Sequence, residues 1–477
     1  MTDLLLESAT SLLEKLRTRQ ISSRELVDMA LDRIAERNPT VNAFCALDEA
    51  AARARAEEAD QRIALGEARP LEGLPIGIKD VFDVEGFTAS AGAPTFKDRR
   101  PEADAPAVAR LRAAGAIILG KTNVPVFAAD FQTFNPIHGA TNHPMNPDFS
   151  PGGSSGGPAA ALATGMSALE LASDLGGSIR WPAHCCGLYG LKTSWGLVTG
   201  YGQTPPPPNK RIECDPDCLV VGPMARTAGD LKLMLEVIAG PRHAARPTPL
   251  RPSRARSAKG LRVALWAEDP FAPTDQSVRD KVEDAARRLE AQGAIVDDRA
   301  RPAFPFAEAF EVFALYNHAV VGWGLPGALR DKIAATASRY KRGDLSHQAL
   351  QARGVRITPG DYRDLELRRR KLQAHCARFF ERADVVLCPP APVGPIRHDL
   401  TPDVHKRRLI VDGVERPYLD FLVWSSLASG AGLPAGAAPI GLGPDGLPRG
   451  VQIIGAMGED LTPIAVAAMI GEASAHR

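Results

Sequence analysis

Two glycine-flanked serines occur in one stretch of the chain, Ser150 to Gly190. The first lies in the run Gly152-Gly153-Ser154-Ser155-Gly156-Gly157, and the second lies in Asp174-Leu-Gly-Gly-Ser-Ile-Arg180. Glycine has no Cβ, so backbone N–H groups and a bound carbonyl can approach such a serine closely. An alanine-rich segment with the composition of a helix separates the two sites, followed by a short apolar run. The stretch therefore predicts a nucleophilic serine beside an oxyanion hole.

A single lysine, Lys79, lies near the end of another short apolar run, Leu71 to Phe82. One interpretation is a strand-end lysine whose ammonium reaches water. The other is a desolvated lysine, whose lowered pKa would let it act as a base near neutral pH. Asp80 follows directly, but neighbouring residues on a strand point to opposite sides. Both interpretations stay open from this segment alone.

The glycine-serine loop at 152–157 does not match the common glycine-rich motifs. A phosphate-binding loop needs Gly-Lys-Ser/Thr entering a helix, and here Pro158 follows the glycines. The loop is also not a Gly-x-Ser-x-Gly turn, and no His or Asp motif supplies a familiar triad. A Ser–Lys arrangement remains, with neutral lysine as the base. For either serine loop taken singly, the alternative is a tight turn that packs backbone against backbone.

Charge and composition exclude several kinds of partner. The 57 Lys and Arg nearly balance the 56 Asp and Glu, with a formal net charge of +1, so we expect neither a nucleic-acid nor a membrane partner. The N-terminus has early acidic residues and no apolar core of a secretory signal. No window approaches the roughly 18 apolar residues that predict a membrane span.

The seven cysteines show no framework spacing, which predicts a reducing cytoplasmic compartment. Cys185 and Cys186 are adjacent, and Cys214 and Cys218 lack the second ligand pair of a zinc site. We therefore expect ordinary thiols.

The rest of the chain alternates helices and strands, as in an α/β fold. Residues 8–65 are predicted to be helical, with capping boxes at Ser11–Glu14 and Ser22–Glu25. The proline-rich stretch 201–217, with a polyproline stub at 205–208, predicts a rigid loop beside a pocket. Strands are predicted at 116–119, 261–266, 294–297 and 383–388, and helices at 50–65, 105–114, 228–239, 276–292, most of 305–382 and about 459–475.

Several blocks match one known family. They are Gly77-Ile-Lys-Asp80, Gly120-Lys-Thr-Asn123, Pro151 through Lys192, Gly222-Pro-Met-Ala-Arg-Thr227 and Gly450-Val-Gln-Ile-Ile-Gly455. In these blocks the sequence strongly resembles the amidase signature family, over essentially the whole chain. The resemblance implies one α/β domain, a twisted mixed sheet covered by helices on both faces, where length alone suggests two or three domains. Its expected parts are a helical segment at 1–65, a signature core at 71–230, a variable substrate-pocket region at 241–430, and closing strands and a helix at 433–477.

The resemblance also implies a Ser–cisSer–Lys triad. Ser178 matches the nucleophile, Ser154 the bridging serine, and Lys79 the base and acid. The expected oxyanion-hole N–H groups are those of Leu175, Gly176, Gly177 and Ser178. The positions expected to support the site are Ser155, Asp174 and Arg180. The implied chemistry is amide hydrolysis through an acyl-enzyme, with no metal and no cofactor.

The sequence departs from the family pattern at a few positions outside the triad. Val126 replaces a common glutamate, Pro158 a common serine and Leu175 a common isoleucine. Thr193-Ser194 also replaces a common Pro-Thr. With the proline-rich loop and the aromatic Phe131, Trp181 and Trp195, these changes predict a pocket shaped for an apolar or aromatic acyl or amine group.

Several functions use this set of residues. The leading prediction is an amidase for a small carboxamide or N-substituted amide, with a small-molecule amide as its partner. An esterase or carbamate hydrolase would pass through the same acyl-enzyme. A glutaminase subunit of a tRNA-dependent amidotransferase would need partner subunits, and the family's glutamine-binding environment is not evident. A catalytically silent scaffold would have lost Lys79, Ser154 or Ser178. A homodimer remains open.

Overall fold

A mixed β-sheet of eleven strands forms the centre of the molecule. The computed structural model describes residues 3–204, 215–244, 246–341 and 343–472. The predicted polyproline stub at 205–208, Cys214 and the end of the last predicted helix lie outside these residues.

The strands include the eleven of the central sheet and two small hairpins. In the described part of the chain they are, in order, β1 (Phe44–Leu47), β2 (Pro75–Lys79), β3 (Ile117–Thr122), β4 (Phe134–Asn135), β5 (Gly139–Ala140), β6 (Leu169–Asp174), β7 (Tyr189–Lys192), β8 (Val220–Ala225), β9 (Arg262–Leu265), β10 (Ile295–Asp297), β11 (Val385–Cys388), β12 (Arg408–Val411), β13 (Val414–Pro417), β14 (Ala435–Leu442) and β15 (Pro448–Ile454).

The central sheet has the strand order β1-β3-β2-β6-β8-β7-β14-β15-β11-β9-β10. Strand β2 runs parallel to both β3 and β6, and β9 runs parallel to both β10 and β11. The other neighbouring pairs are antiparallel. Because strands from both halves of the chain share this sheet, the fold is one α/β domain, as the family resemblance implied.

Helices pack around the sheet. Over the described residues they are α1 (Ala9–Arg17), α2 (Ser23–Val41), α3 (Glu49–Ala64), α4 (Pro106–Ala113), α5 (Gly156–Ala163), α6 (Arg180–Cys186), α7 (Ala228–Ile238), α8 (Gln276–Ala291), α9 (Phe306–Trp323), α10 (Gly327–Ala334), α11 (His347–Gly354), α12 (Pro359–Phe379), α13 (Leu422–Ser429) and α14 (Leu461–Glu472). Short 3₁₀ turns lie at Leu4–Leu6, Pro94–Phe96, Val126–Ala128, Ala335–Arg339 and Tyr418–Phe421. Within this part of the chain, none of the helices has both the length and the apolar character to cross a bilayer.

The sheet separates two hydrophobic cores. Along β11, Val385 and Leu387 belong to one core and Val386 and Cys388 to the other, because successive strand side chains alternate between faces. Helices α1 to α4, α7, α8 and α14 contribute to the first core, and α6, α9, α12 and α13 to the second. Both faces are therefore covered by helices, as predicted.

Helix α2 begins as predicted, but α1 does not. At Ser22–Glu25 both hydrogen bonds of the capping box are present. The predicted capping box at Ser11–Glu14 is wrong, because α1 already begins at Ala9 with Ser8 as its N-cap. Ser11 therefore lies inside the helix, and its backbone N–H donates to Ser8 Oγ at 3.0 Å.

Most of the other predicted elements are present. The predicted strands correspond to β3, β9, β10 and β11, and the predicted helices correspond to α3, α4, α7, α8, the group α9 to α12, and α14. Strand β1 lies inside the stretch predicted to be helical, so that part of the prediction is wrong. It forms because its residues can pair with the edge of β3, an interaction that local sequence does not show.

Candidate active site

The ends of two neighbouring strands place the predicted residues together. Lys79 is the last residue of β2, and Asp174 is the last residue of β6. The two strands are parallel neighbours, so their carboxyl ends lie at the same edge of the sheet. Both strands are buried along their whole length, as expected for strands covered on both faces. The sheet thus places the amine of Lys79 and the carboxylate of Asp174 at the same buried edge.

Lys79 is fully buried, with 0% of its surface exposed. Its Nζ lies 2.8 Å from Ser154 Oγ, 3.2 Å from Ser173 Oγ and 3.3 Å from the Ser173 carbonyl oxygen. Burial lowers the pKa of Lys79 to about 7, although the nearby carboxylate of Asp174 opposes the shift. The side chain does not reach water, and near neutral pH a large fraction of the amine carries a free lone pair.

Ser154 lies in the glycine-rich loop that leads into α5. The peptide bond between Gly153 and Ser154 is cis. A Cβ on Gly153 would lie only 2.7 Å from the Asp130 carbonyl oxygen, so a side chain there would push the loop away from its support. The Gly156 N–H also donates to Thr133 Oγ1 at 3.1 Å. The loop is therefore held against the segment that precedes it in the chain.

The second serine loop follows β6 and carries the predicted oxyanion donors. In the part of the chain that the structure describes, the backbone N–H groups of Leu175, Gly176 and Ser178 have no hydrogen-bond acceptor. Gly177 differs from the prediction, because its N–H donates to Asp174 Oδ1 at 2.9 Å and so braces the loop from within. Gly177 also has a φ of +113°, a conformation that favours glycine.

The two serine loops are joined through the backbone. The Ser155 N–H donates to the Ser178 carbonyl oxygen at 3.2 Å, and Ser155 Oγ donates to the Ser173 carbonyl oxygen at 3.4 Å. Ser178 itself is 9% exposed. Among the described residues its hydroxyl has no hydrogen-bond partner, so the structure does not join the Ser178 and Ser154 hydroxyls directly.

Asp174 and Arg180 form a fully buried ion pair below the second loop. Arg180 Nη2 lies 2.7 Å from Asp174 Oδ1 and Nε lies 3.0 Å from Oδ2, and Arg180 also donates to Gln452 Oε1 at 2.6 Å. Burial alone would raise the pKa of Asp174, but the Arg180 guanidinium and the Ile179 N–H hold it well below its usual range. The ionised carboxylate can therefore fix the loop that contains the predicted nucleophile.

Two helices from the second half of the chain face this loop. A Cβ on Gly176 would lie 2.6 Å from Leu422 Cδ2 in α13, and within 4 Å of Phe313 and Asn317 in α9. Ser425, one turn after Leu422, lies beside the next glycine. No sequence motif marks these residues, since apolar helical spacing is the same for a pocket wall and for a core. We call these four side chains the α9–α13 wall.

Comparison with known proteins identifies the family. A family model described as Amidase matches residues 25–462. The chain belongs to the amidase signature family. It is accordingly a hydrolase of the class that acts on the carbon–nitrogen bonds of amides.

Relatives of this amidase cover nearly its full length. One glutamyl-tRNA(Gln) amidotransferase subunit, from Roseiflexus castenholzii, is 34% identical over 93% of this chain and 90% of that protein. A solved bacterial aryl acylamidase of the amidase signature family is 27% identical, with a TM-score of 0.81 over 98% of this chain and 96% of its own. An inhibitor-bound structure from work on a vestigial protein complex and the origins of an s-triazine catabolic enzyme is also 27% identical, with a TM-score of 0.81 over 98% and 99% of the two chains.

The aromatic residues near the serine loops of this amidase belong to its core. Trp181 is 1% exposed and Phe131 is 8% exposed. Their rings pack around Phe421, with centroids 4.6 Å and 5.0 Å from it, and Trp181 Nε1 donates to the Phe131 carbonyl oxygen at 2.9 Å. Both residues also lie against Gly152 and Gly153, so they support the loop that contains Ser154.

One group of side chains in the amidase has the composition of a metal site. Ligand atoms of Cys45, Asp80 and His138 lie within 4.8 Å of one another. However, Lys121 Nζ lies 3.0 Å from Asp80 Oδ1, and Ser90 Oγ donates to Asp80 Oδ2 at 2.6 Å. Because an ammonium already neutralises the carboxylate, we assign no metal to this group.

Two surface cavities lie away from the serine loops. One of about 200 Å³ is lined by His347, His405 and Arg416, among others, and one of about 380 Å³ is lined by Arg33 and Met145, among others. Neither cavity includes a residue of the predicted triad or of the α9–α13 wall.

Proposed function

We propose that this protein hydrolyses small neutral amides through an acyl-enzyme on Ser178, with Ser154 and Lys79 as the proton relay. The observation that carries the proposal is the fully buried Lys79 amine, 2.8 Å from Ser154 Oγ, with its pKa lowered to about 7. An ordinary lysine is almost fully protonated near pH 7, so its amine could not accept a proton there.

The relay conserves protons at each step. As Ser178 Oγ attacks the amide carbonyl carbon, its proton passes to Ser154 Oγ, and the Ser154 proton passes to neutral Lys79. The carbonyl oxygen becomes an oxyanion beside the free N–H groups of Leu175, Gly176 and Ser178. When the C–N bond breaks, the relay returns the proton to the leaving amine. Water then attacks the ester by the same route and releases the carboxylic acid.

The chemistry of the α9–α13 wall supports a neutral substrate. Leu422 and Phe313 are apolar, and Asn317 and Ser425 are uncharged. The nearby guanidinium of Arg180 is fully buried and already bonded to protein acceptors. A carboxylate or ammonium on the substrate would therefore lose water without gaining a counter-charge at this wall. Esters and carbamates of the same shape would use the same acyl-enzyme.

A second candidate function is favoured by the relatives named as amidotransferase subunits, which are 33–34% identical. In that role the chain would release ammonia from glutamine together with partner subunits. The uncharged α9–α13 wall favours the amidase instead, because glutamine is a zwitterion. We expect hydrolysis of acetanilide or benzamide without measurable release of ammonia from glutamine. If glutamine is hydrolysed with a kcat/KM comparable to that for acetanilide, the amidotransferase-subunit function is favoured over the stand-alone amidase.

Labelling with a fluorophosphonate probe tests the proposed nucleophile. We expect one equivalent of adduct on the peptide that contains Ser178, located by mass spectrometry, and loss of labelling on heat unfolding. Ser178→Ala should abolish the adduct, while Ser338→Ala, a change at an exposed serine, should leave it unchanged. An adduct on another serine, or none in the folded protein, would contradict the proposal.

A further inference from the structure

Asn317 is a polar side chain without a partner in a buried position. It lies in α9, and only 8% of its surface is exposed. Among the described residues its carboxamide forms no hydrogen bond, either with backbone or with another side chain. Neither polar atom of the carboxamide is fully buried, so it reaches solvent although the residue is mostly enclosed. An unbonded amide at such a position calls for an explanation.

The position of Asn317 supplies that explanation. Its Oδ1 lies 3.7 Å from the point that a Cβ on Gly176 would occupy. Phe313, one helical turn earlier, presents its ring 3.6 Å from the same point, because residues four apart lie on one face of a helix. The carboxamide is therefore directed at the loop whose N–H groups face the reacting carbonyl.

The surroundings of Asn317 are neutral. Leu422 and Phe313 offer only carbon atoms at this wall. Ser425, beside the next glycine of the loop, is also uncharged. An amide side chain carries both a donor and an acceptor and suits a neutral polar group.

We propose that Asn317 determines specificity by hydrogen-bonding a hydroxyl group on an otherwise apolar amide substrate. This inference rests on the proposed function, since it describes the substrate of the same site. The substrate group replaces the missing partner of the carboxamide, and Leu422 and Phe313 contact the apolar part. An amide that lacks the polar group leaves the carboxamide unbonded and binds less well.

Binding can be measured without turnover in the Ser178→Ala protein. The ligands are benzamide, acetanilide and the three monohydroxy isomers of each, with dissociation constants from calorimetry. We expect at least one isomer to bind about tenfold more tightly than its parent, as for one net hydrogen bond. In Ser178→Ala/Asn317→Leu the difference should shrink to less than about twofold, with parent binding retained. Asn317→Ala serves as a second variant if the leucine variant does not fold.

The matched control is Glu308→Gln, which replaces a carboxylate by a carboxamide in the first turn of the same helix and should keep the preference. Equal binding of every isomer and its parent, or a preference that survives Asn317→Leu, would overturn the inference. Labelling of Ser178 in wild type reports separately on the proposed hydrolase. If labelling fails while the hydroxyl preference depends on Asn317, the amidase proposal falls and the recognition by Asn317 stands.

Discussion

At the scale of single residues, burial lowers the proton affinity of the Lys79 amine. The amine is enclosed at the end of a buried strand, and its hydrogen-bond partners within the fold are two serines. Because the charged form is disfavoured by burial, the proton affinity falls to the range in which a base is useful at neutral pH. In the proposed relay, the pair Ser154 and Lys79 takes the part that histidine has in more familiar hydrolases.

The pH dependence of amide hydrolysis should follow Lys79. Its pKa of about 7 means that the amine is protonated and inactive at lower pH. We expect kcat/KM to fall about tenfold per pH unit below pH 7 and to level off above it. Steady-state rates with one anilide over about pH 5 to 9 provide the measurement. A flat profile through neutral pH would show that Lys79 is not the base.

Replacement of Lys79 by methionine should separate activity from stability. The pKa of Lys79 is lower in the folded state than its ordinary value of 10.5, so the unfolded chain binds more protons between about pH 7 and 10.5. The wild-type free energy of unfolding should therefore rise with pH across this window. In Lys79→Met we expect a smaller rise, because only the contribution of Lys79 is lost while the buried Lys192, with a pKa lowered to about 8, still contributes. We also expect hydrolysis to fall by about 10²–10⁴-fold.

Urea unfolding of both proteins at about pH 7 and pH 10 measures the difference. A parallel rise in the two proteins would contradict the assignment, since methionine does not titrate.

At the scale of elements, strand β6 holds two carboxyl groups in opposite states. Asp174 at its end is ionised through Arg180, whereas burial raises the pKa of Glu170 to about 8. Glu170 accepts from Ser167 Oγ at 2.8 Å and lies across from Gly77 of β2, where any Cβ would overlap its carboxyl group. One strand therefore carries a neutral acid and an anion within the same core.

Glu170→Gln should stabilise the protein increasingly as pH rises. The folded pKa of about 8 exceeds the ordinary value of 4.5, so the contribution of Glu170 to wild-type stability is complete below about pH 4.5 and is lost between about pH 4.5 and 8. Glutamine cannot ionise and retains hydrogen-bonding atoms for Ser167 and Thr122. We expect the melting temperature of Glu170→Gln to exceed that of wild type by more at about pH 8 than at about pH 5. An equal difference at both values would show that Glu170 does not titrate in this range.

The buried ion pair between β6 and α6 should be costly to break. Asp174→Asn leaves the guanidinium of Arg180 buried without its counter-charge and weakens the brace on Gly177. We expect a loss of about 3–5 kcal/mol in the free energy of unfolding, and a lower rate of Ser178 labelling. Denaturant unfolding and labelling kinetics are the two measurements.

The exposed pair Arg397–Asp148 provides the control for that prediction. Its side chains are 68% and 65% exposed, so Asp148→Asn should change stability by less than about 1 kcal/mol. Similar losses in the two variants would show that the buried pair has no special role.

At the scale of the whole molecule, the sequence predicts local motifs well and distant neighbours poorly. The glycine-serine loops and the lysine after an apolar run are local patterns, and the chain folds them into one site. Leu422 and Asn317 reach the same site from helices far along the chain, and nothing in their own segments distinguishes a pocket wall from a core. Strand β1 was missed for the same reason, because its pairing partner β3 is distant in sequence.

The strand order also bears on protein synthesis. In the described sheet, β14 and β15 separate the strands β1 to β3 and β6 to β8 from the strands β9 to β11. Since the ribosome releases the N-terminal part first, both groups emerge before the two strands that unite them. Helix α13 of the site wall emerges just before those strands. We therefore expect a nascent or prematurely terminated chain that lacks them to hold two unjoined half-sheets, and hydrolytic competence to begin only after both strands have been synthesised.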